Sequence, residues 1–284
     1  MKMEVQSYHR MPPQYASQAQ ALQAACNAFD GTCWDLASFS LFNLYPAMPA
    51  FFLAFERGAL IGVLQLRADE TDNAESVCLV LPTARHRGVF TALLARASAA
   101  LVRFGYRHVL LCRGRAYAQK HPLPGHLHAL PAGRTLCLSR PAGLCEGAGS
   151  VRLAQCGDVP RLAQIGCDAF AESAEKSMRY IRRTMDGADA ALYLLEHGGL
   201  PAACVCAARS AFGYELYGVC VRGDLRGQGF ARAAVAGVLS RLAQAGGEVG
   251  LRVALSNRSA QAVFRSCGFE RRCEQEAYRI RLPG

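Results

Sequence analysis

The sequence predicts an α+β (α/β) fold built twice along the chain, and three observations carry that prediction. Short apolar runs of strand character alternate with longer stretches of helical periodicity. A set of short matches recurs at a nearly constant separation. Between the two copies lies "RPAGLCEGAGS" (Arg140–Ser150), whose Gly, Pro and Ala suit a linker. With 284 residues, 51% of them apolar, each copy can bury a core of its own.

The recurrence is specific. "ACNAF" (Ala25–Phe29) is echoed 141 residues later by "GCDAF" (Gly166–Phe170). Arg85 and Gly88 of "RHRG" stand 141 before Arg226 and Gly229 of "RGQG". Gly105 and Gly246, each ending an alanine-rich helix, are again 141 apart. "ERGAL" (Glu56–Leu60) and "EHGGL" (Glu196–Leu200) are 140 apart, which implies one inserted residue between the matches. Four matches in order argue for an internal duplication, with lobes at 1–140 and 151–284.

The elements of the second copy follow in order. "VRLAQCGDVPRLAQIGCDAF" predicts a strand and then a helix capped by Asp158, with Pro160 in its first turn. "ALYLLEHGGLPAACVCAARS" predicts a hairpin turning at Gly198-Gly199, and "YELYGVCV" a further strand. Val235, Val238, Leu239 and Leu242 recur at helical spacing. "GLRVAL" (Gly250–Leu255) is a strand, and Asn257 caps a helix whose apolar face is Ala260, Val263, Phe264 and Cys267. Gly268 suits a left-handed C-cap, and "EAYRIRL" closes the sheet.

Composition excludes several classes. The net charge is +10, but only Lys2, Lys120 and Lys176 are lysines, and the arginines are spread along the chain. There is no basic tail and no aromatic platform, so no nucleic-acid partner is expected; charge alone leaves such binding open, and a polyanionic small molecule explains the balance as well. The thirteen cysteines are an odd number with no CxxC pair. Cys78, Cys112, Cys204, Cys206 and Cys220 sit in strand-like runs, where free thiols pack as small apolar groups, and no metal site is expected. "MKMEVQSYHRMPPQ" has no signal-peptide character, and "PAMPAFFLAF" is about half a membrane span. The expected setting is the cytoplasm, with no membrane partner.

One stretch concentrates chemistry: "VCVRGDLRGQGFARA", Val219–Ala233. A strand runs through a glycine-containing bend into a helix, whose first N–H groups are unpaired and carry partial positive charge. Gly227 and Gly229 let the backbone bend and an anion approach, and Arg226 adds a full charge. The stretch is neither a Walker loop, since no Gly-Lys-Ser/Thr follows, nor a GxGxxG fingerprint.

With "N-R-S-A-Q-A-V-F-R-S-C-G-F" (Asn257–Phe269) following at the right distance, the second copy resembles the GNAT superfamily of acetyl-CoA-dependent N-acetyltransferases. The first copy is similar through "VLPTARHRGVFTALL" (Val80–Leu94), so the resemblance is to a protein with tandem GNAT domains. It implies that each lobe is a mixed, splayed sheet flanked by helices, with acetyl-CoA as cosubstrate between parted strands. The backbone of Val219 and Val221 would pair with the pantetheine arm. Amides of Arg226, Gly227, Gln228, Gly229, Phe230 and Ala231 would hold the pyrophosphate, and Asn257 and Phe264 belong to the second motif. Val80, Arg85, Arg87 and Gly88 are the corresponding residues of the first lobe. The implied activity is direct acetyl transfer to a primary amine of an unidentified acceptor, a small molecule rather than a protein, by a monomer or homodimer. Two alternatives stay open: a non-catalytic acyl-CoA-sensing or partner-binding protein, and catalysis in the N-terminal lobe with the C-terminal lobe as support.

Glu215 is the candidate general base, six residues before Val221, where some family members keep a catalytic glutamate. Even spacing in an extended strand puts it on the face of Val219 and Val221; the alternative is a solvated strand-end glutamate. Glu75 stands ten rather than eleven before its arginine, and so faces the opposite side unless a bulge intervenes. Many members carry a tyrosine where this chain has Phe264, leaving Tyr217 and Tyr278 as candidate proton donors; the alternative for each is a half-buried strand residue. In the first lobe Phe90 and Ala116 depart from the pattern, and His121, His126 and His128 suggest a polar loop rather than a metal site.

Overall fold

The structure, a computed structural model, describes residues 3–36 and 43–283. Along the chain run β1 (Met3–Tyr8), α1 (Pro13–Asp30), β2 (Phe51–Glu56), β3 (Ala59–Arg67), β4 (Asn73–Val80), α2 (Val89–Arg103), β5 (His108–Gly114), α3 (Arg115–Lys120) and β6 (Leu130–Pro141). Then follow β7 (Val151–Leu153), α4 (Val159–Phe170), α5 (Ala174–Asp186), β8 (Ala190–His197), β9 (Leu200–Ser210), β10 (Gly213–Val221), α6 (Phe230–Leu242), β11 (Glu248–Ala254), α7 (Arg258–Ser266) and β12 (Glu270–Arg281). The chain forms two compact units, Met1–Leu136 with Cys273–Gly284, and Cys137–Arg272.

In the first unit the strand order is β1-β2-β3-β4-β5-β12. Neighbours are antiparallel except β4 and β5, which run parallel. Alternation along β3 sends Val63 to one face, with α1 through Leu22 and Cys26, and Leu64 to the other, with α2 through Leu93, Ala97 and Leu101. All of these side chains are buried.

The second unit repeats the plan with the order β6-β11-β10-β9-β8-β7, in which β10 and β11 form the parallel pair. α4 and α5 cover Cys204, Cys206 and Cys220 on one face. The predicted stripe Val235, Val238, Leu239 and Leu242 of α6 is buried. The hairpin turns where expected, because Gly198 (φ 61°) and Gly199 (φ 73°) both take left-handed conformations.

Three details differ from the sequence expectation. Asp158 precedes α4 but does not cap it: its carboxylate receives both arms of Arg152 (2.7 and 3.0 Å) and the N–H of Gln155. The segment "AEKSMRYIRRTMD", unread in the sequence, is α5, started by Ser173, whose hydroxyl accepts the Lys176 N–H (3.2 Å). The strand expected to close the second copy pairs instead with β5 of the first unit, from Gln275↔Gly114 to Arg281↔His108. A strand's pattern specifies an apolar face, not which sheet edge receives it.

Candidate functional site

In the second unit β10 and β11 are paired from Gly213↔Glu248 to Leu216↔Leu251, whereas β10 runs on to Val221 and β11 to Ala254. The parallel strands therefore part along the stretch that carries Val219 and Val221. β10 leads through a tight turn, Gly223–Leu225, to Gly227 (φ 76°) and Gly229 (φ 86°). A side chain at either position would strain the backbone. Gly229 is the N-cap of α6 and supplies no side-chain cap, so the first-turn N–H groups stay available to an anion. Phe230 and Ala231 open that turn.

Arg226 lies beside this loop and donates Nε–H to the Val221 carbonyl (3.3 Å). Among the described residues no carboxylate stands within ion-pair distance of it; Glu172 in the α4–α5 connection pairs with Lys176 (3.5 Å). Gln228 donates its amide to the Asp224 carbonyl (2.9 Å), which braces the loop. Asn257 caps α7 as expected, accepting from the Ala260 N–H (3.1 Å) and the Ser259 hydroxyl (3.0 Å). Phe264 is 6% exposed and packs edge-on against Phe269. Gln261, missed in the sequence, is buried and ties α7 to the end of β11 through the Ala254 and Leu255 carbonyls (3.1 and 2.9 Å).

Glu215 does not share a face with Val219 and Val221. The pairing of β10 with β9 slips between Tyr217↔Cys206 and Cys220↔Cys204, a β-bulge at Gly218. Gly218 has φ 59°, and an added Cβ would lie 3.1 Å from Cys206 Sγ. The extra residue reverses the alternation, so Glu215 shares its face with Tyr217 and Cys220. There its Oε1 accepts from Arg252 Nε (3.1 Å). The Tyr217 hydroxyl reaches Thr184 Oγ1 (3.4 Å), and its ring meets Tyr180 at 5.9 Å. Burial, with Cys206 adding to it, pushes the Tyr217 phenol well above its ordinary value, so it holds its proton. Tyr278, the other candidate donor, lies on β12 in the first unit and donates to Glu276 (2.7 Å).

The bulge also explains the change in repeat spacing. Asn73–Val77 pair with His108–Cys112 in the way that Gly213–Leu216 pair with Glu248–Leu251, an offset of 140. From Gly218 through the loop to the end of the following helix the offset is 141, and at β11 it returns to 140. Glu75 therefore matches Glu215, and in bulge-free β4 it faces the side opposite to Val80, as expected; it ion-pairs with Arg67 (2.8 Å). The "ACNAF"/"GCDAF" echo at 141 is out of register, because buried Leu22, Gln23 and Cys26 match buried Leu162, Ala163 and Gly166 at 140.

The first unit has the same cleft with different contents. β4 runs past its pairing with β5 to Val80, and a turn at Pro82–Ala84 leads to His86 (φ 60°) and Gly88 (φ 80°), the N-cap of α2. His86 thus holds a left-handed conformation where the second unit uses glycine. A cavity of about 400 Å³ opens here, with Trp34, Cys78, Phe90, Arg113 and Tyr117 among its walls. Burial pushes the Cys78 thiol up to about 12. Arg85 donates Nε–H to the Val80 carbonyl (3.0 Å) as Arg226 does to Val221, but both its arms are held by Asp30 (2.8 and 2.7 Å). Arg87 pairs with Glu56 (2.5 Å). Tyr117 stacks on His121 (4.4 Å) beneath the Arg85 guanidinium (4.8 Å). Neither Asp30 nor Tyr117 carried a signal in the sequence, since their partners are distant along the chain.

In each unit the sheet parts at its parallel pair beside a helix N-terminus without a side-chain cap, so one strand-turn-helix plan is built twice. The Acetyltransferase (GNAT) family matches residues 18–120 and 159–269, and the chain belongs to that family. Among solved structures it is similar to a tandem GNAT protein from the clavulanic acid biosynthesis pathway (14% identity, TM-score 0.71, covering 100% of this chain and 99% of that one). A GCN5-related N-acetyltransferase from Sphaerobacter thermophilus is similar over 99% of this chain and 96% of its own (17%, TM-score 0.68). A putative acetyltransferase from Pyrococcus horikoshii is similar over 98% and 89% (13%, TM-score 0.64). No curated protein matches the chain. At these identities the solved structures speak for the fold. No described helix is long and apolar enough to cross a membrane.

Proposed function

We propose that the protein transfers an acetyl group from acetyl-CoA to the primary amine of a small molecule, and that the coenzyme sits in the second unit. The observation that carries this reading is the coincidence, in one unit, of the Gly218 bulge, the parted strands and the glycine loop with an unneutralised Arg226. The unpaired edge of Val219–Val221 offers backbone groups to the pantetheine amides, and the loop's N–H groups and Arg226 offer charge-assisted bonds to the diphosphate. Glu215 takes the proton released when the amine nitrogen bonds to the thioester carbonyl carbon and the C–S bond breaks. The departing thiolate takes a proton from solvent water, since Phe264 has none to give and the buried Tyr217 phenol holds its own.

Titration calorimetry with acetyl-CoA, joined to turnover against a panel of primary amines, tests the assignment. Arg226→Glu removes one favourable contact and adds repulsion, and is expected to weaken binding by roughly 2–4 kcal/mol. Arg85→Glu should leave coenzyme affinity almost unchanged. The opposite pattern would move the coenzyme to the first unit, and binding without turnover on any amine would favour a sensor.

A further inference from the structure

The two loops share backbone conformation, the preceding turn and the guanidinium-to-carbonyl bond, yet they differ in one buried feature. In the first unit the Asp30 carboxylate grips both arms of Arg85, and each side chain is only 11% exposed. The guanidinium also lies over the rings of Tyr117 (4.8 Å) and Phe29 (5.1 Å). Asp30 is the last residue of α1, which packs against the turn before the loop. Its counterpart, the last residue of α4, is Phe170, 51% exposed and unable to accept a hydrogen bond. α4 packs against the equivalent turn of the second unit.

We propose that Asp30 is the specificity-determining residue of the first unit's cavity: it is an internal counter-anion that fills the place of a diphosphate, so the cavity admits ligands lacking one. This rests on the second unit being the coenzyme site. A diphosphate entering the first unit must either displace a bidentate, desolvated carboxylate from Arg85 or lie against it, and like charges at close range in a partly buried site repel strongly. The second positive group of that loop is also spent, because Arg87 is paired with Glu56, whereas the second unit has uncharged Gln228 at that step. What remains is a pocket of about 400 Å³ with Trp34, Leu79, Phe90, Leu111 and Leu123 on its walls. That volume and lining suit a small apolar or aryl group.

The experiment is titration calorimetry with coenzyme A, and with pantetheine as a probe without the diphosphate. Arg226→Glu should weaken the single binding event of the wild type beyond what the titration resolves. Adding Asp30→Asn to that background should restore one event, with coenzyme A gaining at least tenfold while pantetheine gains nothing. Thermal melting reports whether the double variant is folded. A folded double variant that binds no coenzyme A, or that gains equally for pantetheine, overturns the proposal. If it does not fold, Phe170→Asp in the otherwise wild-type chain is the second arm: the carboxylate should weaken coenzyme A binding tenfold or more, and unchanged affinity overturns the proposal. A wild type that binds no coenzyme A at all would instead sink the function assigned to the second unit.

Discussion

The two units carry the same strand-turn-helix, and the comparison separates what the fold needs from what the chemistry needs. Both loops bend through two left-handed residues, and both lay an arginine Nε–H on the carbonyl that ends the preceding strand. The fold is content with His86 in place of a glycine. The bulge is different: β10 has it and β4 does not. So is the neutralisation of the arginine, present in the first unit alone. A duplicated loop can thus keep its shape after its charge has been cancelled, which makes the loop motif a guide to architecture and its carboxylate neighbours a guide to ligand binding.

The largest effect expected from breaking the comparison is at Phe264. Its ring, on α7, is buried against Phe269, whereas the corresponding helix of the first unit, α3, is six residues long, and Tyr117 on it and His121 just after it line the cavity. Phe264→Ala should lower stability by about 3–5 kcal/mol, read from denaturant unfolding. A stable alanine variant with turnover selectively lost would give the ring a direct role at the site.

Next in size is the pair of glutamates at the same register. Glu215→Gln should lower kcat about 10²–10³-fold with acetyl-CoA affinity unchanged, while Glu75→Gln should leave kcat within twofold. Both are measured under saturating coenzyme with any amine the panel identifies. Equal losses would mean that the units share the chemistry, and an unaffected Glu215→Gln would leave Glu215 with only its Arg252 contact.

The sequence made the lobes legible because duplication shows as matched spacing, and amphipathic stripes such as that of α6 report burial directly. It could not show the parity of Glu215, because one inserted glycine reverses the alternation and "YELYGVCV" reads as an unbroken strand. The course of β12 was hidden for another reason: its pattern satisfies either sheet. The Asp30–Arg85 pair spans 55 positions, so only the packing of α1 against the turn before the loop brings the charges together. The same holds for Cys33 and Cys273, whose sulfurs approach to 2.8 Å within the first unit.

Gly218 offers a smaller and sharper test of the bulge. An alanine there must hold φ near 59° and bring its Cβ to 3.1 Å from Cys206 Sγ. Gly218→Ala should therefore cost about 1–2 kcal/mol of stability and lower turnover together with it. Val77→Ala, at the bulge-free place in β4, should leave turnover untouched. Full activity in a stable Gly218→Ala variant would show that the left-handed bend is dispensable and that the two strands differ in sequence only.

The smallest effect expected is an acid response confined to the second unit. Hydrogen bonding from Arg152, against some burial, and the Gln155 N–H hold the Asp158 carboxyl below its ordinary value. A depressed carboxylate stabilises the fold above the unfolded value, near 3.8, and that contribution is lost as pH falls through the folded value. The matching place in the first unit, 140 residues earlier, is Gln18, which takes the Leu60 N–H (3.3 Å) and has no charge to lose. Arg152 is 39% exposed, so the pair is screened and contributes at most about 1 kcal/mol. Asp158→Asn should lower the melting temperature slightly at neutral pH and flatten its decline below pH 4, whereas Gln18→Ala should shift the whole curve without changing its slope. An acid limb unchanged by Asp158→Asn would assign the loss to other carboxylates and remove this difference between the units.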